Sequence, residues 1–387
     1  MRRAFVWLLT LFVFAEARSS SAQSSDKLAS CRDRQPAMRN ALADIQRRQR
    51  NVGLSAIVML GGETVLAENL GYADLEHRVP VTGETRFGVA SITKAFTGLS
   101  LLKLHEARRI DLDAPIQRYV PAFPVKAGGV ITPRLLAAHL AGIRHWGQER
   151  NAALYARHFH DVDEILALFK DDTLIAPPGT RPSYSSYGYN LIAAAIQSAS
   201  GVKYQDFVNR EIISRLGLKN TGFDDVRHVL PNRARRYSYY DPWTFAVDST
   251  AVFRVPDWDY SHNMAGGNMY STAADLVRFG RAIEQPGLLS KESLELLYRR
   301  PKVGSVEATM SFGFYVSDST APHKLLNIGG SNAGLQAGLF VYPNDDLVIA
   351  VLSNTWGIGS NSGEMNGVLL SRLAAICMGW PEPPPVK

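Results

Sequence analysis

The strand-forming segments of this chain lie near its two ends, and this distribution limits the possible folds more than any other feature. Near the start, the apolar run Leu54–Leu60 leads through Gly61-Gly62 into a second apolar run, a pattern typical of a β-hairpin. Near the end, Leu335–Tyr342, a turn at Asn344-Asp345 and Leu347–Leu352 predict two more paired strands. Helical patterns predominate between them. The simplest fold is an α/β lobe built from both ends, with a helical lobe inserted between them.

The composition indicates a soluble globular protein with a sizeable core. The 387 residues could form one large domain or two, and 46% of them are hydrophobic while 20% are charged. The formal net charge is +6, but the basic residues are scattered. The densest clusters, Arg47–Arg50 and Arg233–Arg236, are interpreted as solvated faces because no nucleic-acid-binding motif accompanies them. We therefore expect no nucleic-acid partner.

The first residues have the pattern of a secretory signal. Arg2 and Arg3 precede an apolar stretch, Ala4–Phe14, and Ser20–Ala22 supplies the small residues of a cleavage site. The apolar stretch is too short to anchor the protein in a bilayer, and no later run reaches the required length. We expect residues 1–22 to be a signal peptide and residues 23–387 to form an exported domain, periplasmic or secreted, without a transmembrane anchor.

The chain has two cysteines, Cys31 in the first predicted helix and Cys377 in the last. An exported protein meets an oxidising compartment, where such a pair can form a disulfide. If the terminal helices pack side by side, the two thiols would join. The alternative is a pair of free, buried thiols, and we favour the disulfide.

A Ser-x-x-Lys spacing occurs four times, and its surroundings separate the matches. Ser91 alone stands where an extended apolar run turns into a long helix. The hydroxyl of Ser100, in the middle of that helix, is expected to bond to the preceding turn, and Ser200 precedes Gly201, a helix stop. The four pairs are Ser24/Lys27, Ser91/Lys94, Ser100/Lys103 and Ser200/Lys203.

The Ser91 match has a chemical rationale. Residues three apart lie on one helix face, so the Ser91 hydroxyl and the Lys94 amine can touch. Burial among apolar neighbours would lower the pKa of the amine, which could then act as a neutral base. On this spacing alone, however, an N-terminal helix cap with a solvated lysine is the simpler interpretation.

Further segments, taken in order, carry a family resemblance. A His-x-x-Gly segment ends a helix within Leu136–Ile143, Tyr184–Tyr189 follows a Pro-Gly turn, and Gly266-Gly267 precedes Ser271–Leu276. Together with Phe87–Lys94, these segments resemble the serine β-lactamase-related family, which includes class C β-lactamases, low-molecular-weight penicillin-binding proteins, D-aminopeptidases and related esterases. The resemblance implies a two-lobed α/β fold, in which terminal helices flank an antiparallel sheet and a helical lobe is inserted.

The resemblance also implies roles for individual residues. Ser91 would be the acylated nucleophile, Lys94 its base and Tyr184 the group that carries a proton between serine and leaving group. An ammonium charge on Lys94 would favour the phenolate of Tyr184; without the family, Tyr184 would simply be one more aromatic in a cleft. The backbone N–H groups of Ser91 and of the strand near Ser331 would form the oxyanion hole. No metal or organic cofactor is implied.

Two departures from the family pattern bear on the substrate. The asparagine of Tyr-x-Asn is replaced by Ser186. The basic residue of the third motif becomes Ile328 in an ungapped alignment, which we prefer, or Asn327 with a one-residue insertion. Either way the cation that would pair with a substrate carboxylate is missing. The positions implied to contact substrate or oxyanion are Ser186, Ile328, Gly330 and Ser331.

We therefore expect an exported serine hydrolase that forms an acyl-enzyme on an ester or amide bond of a small molecule or peptide. An esterase or peptidase is favoured over an efficient β-lactamase. A genuine β-lactamase or D-Ala-D-Ala carboxypeptidase is one alternative, and a non-catalytic or regulatory binding protein on the same fold is another. A metal hydrolase is disfavoured: His158 and His160 suggest a His-x-His site, but Val162 and Asp163 do not continue a metal-binding motif.

Overall fold

The computed structural model describes residues 25–146, 152–244, 246–317, 323–357 and 364–382. The predicted signal peptide, residues 1–22, lies outside these ranges. The α-helices described are α1 (residues 25–33), α2 (Gln35–Gln49), α3 (Thr93–Glu106), α4 (Pro133–Ala137), α5 (Ala152–Ala156), α6 (Val162–Leu166), α7 (Ser186–Ser200), α8 (Tyr204–Val208), α9 (Met264–Gly267), α10 (Ala273–Ala282), α11 (Lys291–Leu297) and α12 (Leu369–Met378).

Short 3-10 and π turns and sixteen described strands complete the secondary structure. The 3-10 turns are Ala90–Ile92, Ile116–Arg118, Ser261–Asn263 and Pro343–Asp345, and the π turns are Asn209–Ser214 and Glu364–Val368. The strands are β1 (Gly53–Leu60), β2 (Glu63–Asp74), β3 (Val79–Pro80), β4 (Phe87–Gly88), β5 (Gly222–Phe223), β6 (Tyr237–Ser238), β7 (Phe253–Arg254), β8 (Met269–Ser271), β9 (Lys302–Val303), β10 (Val306–Glu307), β11 (Met310–Ser311), β12 (Phe314–Val316), β13 (Leu326–Asn332), β14 (Leu335–Tyr342), β15 (Leu347–Ser353) and β16 (Thr355–Trp356).

The main sheet joins the two ends of the chain. Its eight strands run in the order β11-β12-β13-β14-β15-β1-β2-β3, and every neighbouring pair is antiparallel. The junction is the pairing of β1 with β15, in which Ala56 lies opposite Val351. The strand patterns predicted at both ends of the sequence therefore form one sheet.

One face of the sheet is covered by the terminal helices. Alternate residues of β1, namely Leu54, Ala56, Val58 and Leu60, pack with α2 and α12 in one buried cluster, as the two-residue side-chain period of a strand requires. Cys31 of α1 and Cys377 of α12 form a disulfide, and the Cα atoms of the two cysteines are 4.4 Å apart. The terminal helices thus lie side by side over the sheet.

The opposite face supports the helical lobe. Ile57 and Met59 of β1 pack against the larger core, which also contains Phe96 of α3 and Phe279 of α10. The rings of Phe96 and Phe279 stack 4.0 Å apart. Helix α3 is buried on nearly all sides, because it lies between the sheet and the rest of this lobe. The predicted fold class, a two-lobed α/β fold with an inserted helical lobe, is confirmed.

Local backbone geometry fixes two helix boundaries near the site. Helix α4 ends at Ala137, because His139 adopts a left-handed backbone conformation. Helix α7 begins at Ser186, since Ser185 caps it by accepting a hydrogen bond from the Gly188 N–H. Within the described ranges, none of the helices combines the length and apolar character needed to cross a membrane.

Candidate active site

The nucleophile candidate Ser91 lies on a short 3-10 turn between β4 and α3. Ala90, the residue before it, has a φ of +42°, a conformation that costs an L-residue roughly 1–2 kcal/mol. The Thr93 hydroxyl donates a hydrogen bond to the Ala90 carbonyl at 2.7 Å and holds the turn. Ser91 is partly exposed, whereas its neighbours Ala90 and Ile92 are buried. The turn therefore presents the serine hydroxyl at the surface of the core.

Lys94 lies one turn further along, and its side chain is fully buried. Its Nζ atom is 3.3 Å from Ser91 Oγ, 2.9 Å from Ser186 Oγ and 2.5 Å from the Gly266 carbonyl oxygen. Burial lowers the pKa of Lys94 well below its ordinary value, because removal from water penalises the charged form. An ammonium could donate to all three oxygen atoms, and the lowered pKa makes the neutral form of the amine easier to reach.

In its neutral form, the Lys94 amine has two N–H donors and one lone pair, and these decide how it bonds to its three neighbours. The Gly266 carbonyl can only accept, so it takes one N–H. If Ser186 Oγ accepts the other, the lone pair is left for the hydroxyl proton of Ser91. In this arrangement Lys94 is poised to remove the proton from the nucleophile.

Tyr184 lies on the other side of Ser91 and donates a hydrogen bond from its hydroxyl to Ser91 Oγ at 2.8 Å. Burial raises the pKa of Tyr184 well above its ordinary value, and the hydrogen bond to Ser91 opposes this only in part. Burial therefore opposes the phenolate that Lys94 was expected to favour, because it raises the pKa of the phenol and lowers the pKa of the amine whose charge would stabilise that phenolate. Tyr184 is a proton donor to Ser91.

Two histidines hold the segment that carries Tyr184. His139 Nδ1 accepts a hydrogen bond from the Ser185 N–H at 3.0 Å, and His145 Nδ1 accepts one from the Ser186 N–H at 3.1 Å. Their rings flank the Tyr184 ring at centroid distances of 4.4 and 5.4 Å. Burial lowers the pKa of both, that of His145 to about 4, so both remain neutral acceptors.

Ser186 belongs to the lysine site rather than to an open substrate surface. It is buried at the first residue of α7, and its hydroxyl contacts Lys94. The amide that the family pattern has at this position is thus replaced by a hydroxyl that bonds to the base.

Strand β13 passes directly behind the nucleophile turn. A Cβ on Gly330 would be 2.0 Å from the Val89 carbonyl oxygen and 3.1 Å from the Ser91 backbone nitrogen, so only glycine allows this approach. Ser331 follows at once and is partly exposed. Ile328, on the same side of the strand as Gly330, is fully buried in the main core. Ile328 therefore offers no polar contact to a substrate, and Asn327 lies on the alternate side of the strand.

The other Ser-x-x-Lys pairs have structural explanations where they are described. Ser100 Oγ donates to the Phe96 carbonyl at 2.8 Å, and Ser200 ends α7 before Gly201, which has a left-handed conformation. Both predictions are confirmed, while Ser24 lies outside the described residues.

The described side chains give no support to a metal hydrolase at the predicted His-x-His pair. His158 Nδ1 contacts the Asp259 carboxylate at 2.7 Å, and His160 is exposed. Among all the residues that the structure describes, the only group with metal-ligand spacing is Asp74, Glu76 and His77. Glu76 and His77 are exposed. That group lies outside the Ser91 site.

Sequence reasoning did not single out His145 or Asn263, and it quoted His139 only within a motif. Asn263 stands four residues before Gly267 and packs against both glycines of the Gly266-Gly267 pair. A signal was available for the histidines, because His139 and His145 lie on either side of Gly142, the glycine of the His-x-x-Gly segment.

Comparison with known proteins identifies the family. A sequence model described as "Beta-lactamase" matches residues 38–372. The chain is 33% identical over 321 residues to "Serine beta-lactamase-like protein LACTB, mitochondrial" of Homo sapiens, covering 65% of this chain and 57% of that protein. It is 25% identical to "Penicillin-binding protein 4*" of Bacillus subtilis (strain 168), covering 76% of this chain and 66% of that one. The chain thus spans somewhat more than half the length of the human protein.

Solved structures share the fold. D-amino acid amidase from Ochrobactrum anthropi SV3, complexed with L-phenylalanine amide, has a TM-score of 0.76 at 24% identity over 90% of this chain and 99% of that one. The hydrolase EstCE1 has a TM-score of 0.70 at 22% identity, over 92% of this chain and 98% of that one. With the family match extending over most of its length, the chain belongs to the beta-lactamase family, among the serine β-lactamase-like hydrolases.

Proposed function

We propose that the protein is a serine hydrolase that forms an acyl-enzyme on Ser91, with an ester or an uncharged amide as substrate. The observation that carries the proposal is the set of contacts around Ser91. Its hydroxyl lies 3.3 Å from a buried lysine amine of lowered pKa and accepts a hydrogen bond from the Tyr184 phenol. A nucleophile with a neutral base on one side and a proton donor on the other is equipped for acyl transfer.

In the first half of the reaction, Ser91 Oγ attacks the carbonyl carbon and its proton passes to Lys94 Nζ. The oxyanion would be held by the backbone N–H groups of Ser91 and Ser331, donors typically worth about 3–4 kcal/mol each. The bond to the leaving group then breaks, and the leaving group takes the proton of the Tyr184 hydroxyl. This leaves an acyl-Ser91, a Lys94 ammonium and a Tyr184 phenolate, which the new positive charge stabilises.

In the second half, water attacks the acyl-Ser91 carbonyl and gives one proton to the Tyr184 phenolate. The ester bond to Ser91 breaks, and Lys94 returns its proton to Ser91 Oγ as the carboxylic acid leaves. Each group ends in its starting protonation state, so the cycle needs no further reactant.

The substrate class rests on what the site lacks. Ile328 is apolar and buried where the family pattern has a cation, and Ser186 replaces the family's amide. A substrate carboxylate would have no partner at position 328. Esters and uncharged amides fit these replacements better than β-lactams or D-Ala-D-Ala peptides do. The D-amino acid amidase and the hydrolase EstCE1, which share the fold, are compatible with this class.

The test combines covalent labelling with a substrate panel. We expect intact-mass analysis after treatment with a fluorophosphonate to find one adduct on wild type and none on Ser91→Ala. Ser100→Ala, which alters the neighbouring Ser-x-x-Lys pair, serves as the matched control and should keep the adduct. Lys94→Ala and Tyr184→Phe should lower kcat/KM for p-nitrophenyl esters by about 10²-fold or more. Nitrocefin and D-amino-acid amides complete the panel.

The outcomes separate the candidate functions. Absence of an adduct with every electrophile would favour a binding protein on the same fold. Nitrocefin turnover as fast as ester turnover would favour a true β-lactamase and contradict the proposed substrate class.

We also infer that the protein is exported. The signal-like pattern of residues 1–22 and the Cys31–Cys377 disulfide support this inference, because disulfides persist in oxidising compartments. N-terminal sequencing of the protein released by its host cell should find a start at or near residue 23. Recovery from the cytosol with the first 22 residues intact would contradict it.

A further inference from the structure

The hydroxyl of Ser186 decides whether Lys94 can act as a base. If Ser186 accepts an N–H from Lys94, the lysine lone pair is free for Ser91. If Ser186 instead donates its proton to that lone pair, Ser91 loses its base, although the 2.9 Å contact looks the same. For the site to work as proposed, some other group must therefore accept a hydrogen bond from the Ser186 hydroxyl.

Asn263 offers the acceptor that this requires. The residue is 97% buried, and its Oδ1 atom has no hydrogen-bond partner among the described residues. A buried carbonyl oxygen without a hydrogen-bond donor is unfavourable, because it loses its contacts with water and gains none in return. Ser186 is also buried, and no described group accepts a hydrogen bond from its hydroxyl. Asn263 Oδ1 thus lacks a hydrogen-bond donor, and the Ser186 hydroxyl lacks an acceptor.

The glycine pair brings these two groups together. The point where Gly266 would carry a Cβ is 2.2 Å from Asn263 Oδ1 and 3.1 Å from Ser186 Oγ. The corresponding point of Gly267 is 2.5 Å from Asn263 Nδ2 and 3.6 Å from the Ala90 carbonyl carbon. The asparagine amide therefore occupies the space that the two glycines leave open. The same space adjoins Ser186 Oγ on the Gly266 side and the Ala90 carbonyl carbon on the Gly267 side.

We propose that Asn263 is a positioning residue: its Oδ1 accepts, through one bridging water, the hydrogen bond that the Ser186 hydroxyl donates, and so keeps the Lys94 lone pair directed at Ser91. This deepens the proposed function and rests on it. Ser186 occupies the family's asparagine position and bonds to the lysine, while an asparagine from a distant part of the chain fixes the direction of that bond.

The decisive variants are Asn263→Leu, Ser186→Ala and their combination. Asn263→Leu removes the acceptor, so the Ser186 hydroxyl turns to the Lys94 lone pair. We expect kcat/KM for a p-nitrophenyl ester to fall about 10-fold or more. Adding Ser186→Ala removes the competing hydroxyl, and activity should rise to the level of Ser186→Ala alone. A purely structural asparagine predicts the opposite, additive losses; that result overturns the proposal.

A second variant keeps the proposal testable if Asn263→Leu does not fold. Asn263→Asp retains an acceptor and adds a negative charge near the base, which favours the ammonium form of Lys94. The acidic limb of the pH profile of kcat/KM should move to higher pH by roughly one unit. Asn268→Asp is the matched control, since its amide donates to the Asp224 carbonyl instead, and it should shift the limb less. Equal shifts in both variants overturn the proposal.

Failure of this inference is distinguishable from failure of the proposed function. If wild type forms a Ser91 adduct but the rescue and the limb shift are absent, only the role of Asn263 fails. If wild type forms no adduct, the hydrolase proposal fails. The titration of Lys94, followed by NMR of ¹³C-labelled lysine and assigned with Lys94→Arg, then still decides whether Asn263→Asp raises the lysine pKa more than Asn268→Asp does.

Discussion

At the scale of single residues, the site is built on a lysine whose pKa folding lowers. Lys94 is fully buried, and its described partners are two hydroxyls and a carbonyl rather than a carboxylate. An amine in this setting loses hydration without gaining a counter-charge. The lowered pKa of Lys94 is therefore useful for catalysis and unfavourable for stability at neutral pH.

This conflict predicts a pH-dependent gain in stability for Lys94→Met. Between the lowered pKa of Lys94 in the folded protein and the ordinary lysine pKa of 10.5, the unfolded chain binds a proton that the folded protein lacks. Wild-type stability therefore rises with pH in this window. The slope reaches at most about 1.4 kcal/mol per pH unit between the lowered folded pKa and 10.5. Lys94→Met lacks this dependence, and its advantage over wild type should shrink as pH rises.

Urea unfolding at several values between about pH 6 and pH 9 measures this difference. Lys291→Met, at an exposed position, is the control for a general change in charge. A wild-type stability that runs parallel to that of Lys94→Met across this range would contradict a neutral buried lysine.

At the scale of secondary-structure elements, the site depends on how closely β13 approaches the turn before α3. Gly330 brings the backbone of β13 against Val89 and Ser91, and the neighbouring residue is the oxyanion candidate Ser331. A side chain at position 330 would push β13 away from the Ser91 turn and so separate the N–H groups of Ser91 and Ser331. The identity of residue 330 therefore controls the distance between β13 and the nucleophile turn.

Gly330→Ala should accordingly lower kcat in protein that is still folded. Its Cβ would meet the Val89 backbone, so β13 must move away from Ser91 and the proposed oxyanion hole widens. We expect a loss of about 10²-fold or more in kcat for ester hydrolysis. Gly83→Ala is the matched control, because a Cβ there meets nothing within 4 Å. Unchanged kcat in a folded Gly330→Ala protein would remove β13 from the mechanism.

At the scale of the whole molecule, the two ends of the chain form the frame that carries the inserted lobe. The pairing of β1 with β15 and the disulfide between α1 and α12 join segments about three hundred residues apart. Closing so long a loop restricts the unfolded chain strongly, and disulfides typically contribute about 2–4 kcal/mol. The frame holds β13 in place, while α3 and α7 of the inserted lobe supply Lys94 and Ser186.

Local patterns and the order of the motifs were enough to predict the architecture and the nucleophile candidate. The clustering of strand-length apolar runs at both ends predicted the shared sheet, because such runs must be buried, and β14 and β15 are buried along their whole length. The setting of Ser91 distinguished it from Ser100 and Ser200, whose local hydrogen bonds the structure shows as expected. The order of the motifs predicted that Tyr184 would be brought to Ser91, although they are distant in sequence.

The pKa shifts and the hydrogen-bond contacts of the site depend on long-range packing. Burial lowers the pKa of Lys94 and raises that of Tyr184, and burial is set by packing among segments that no local pattern relates. The sequence marked Ser186 as a replaced asparagine, but Asn263 gave no signal, because only the turn at Gly266 and Gly267 brings its amide into the neighbourhood of Ser186. Motifs name the reacting groups, whereas long-range packing fixes which of them carries the proton.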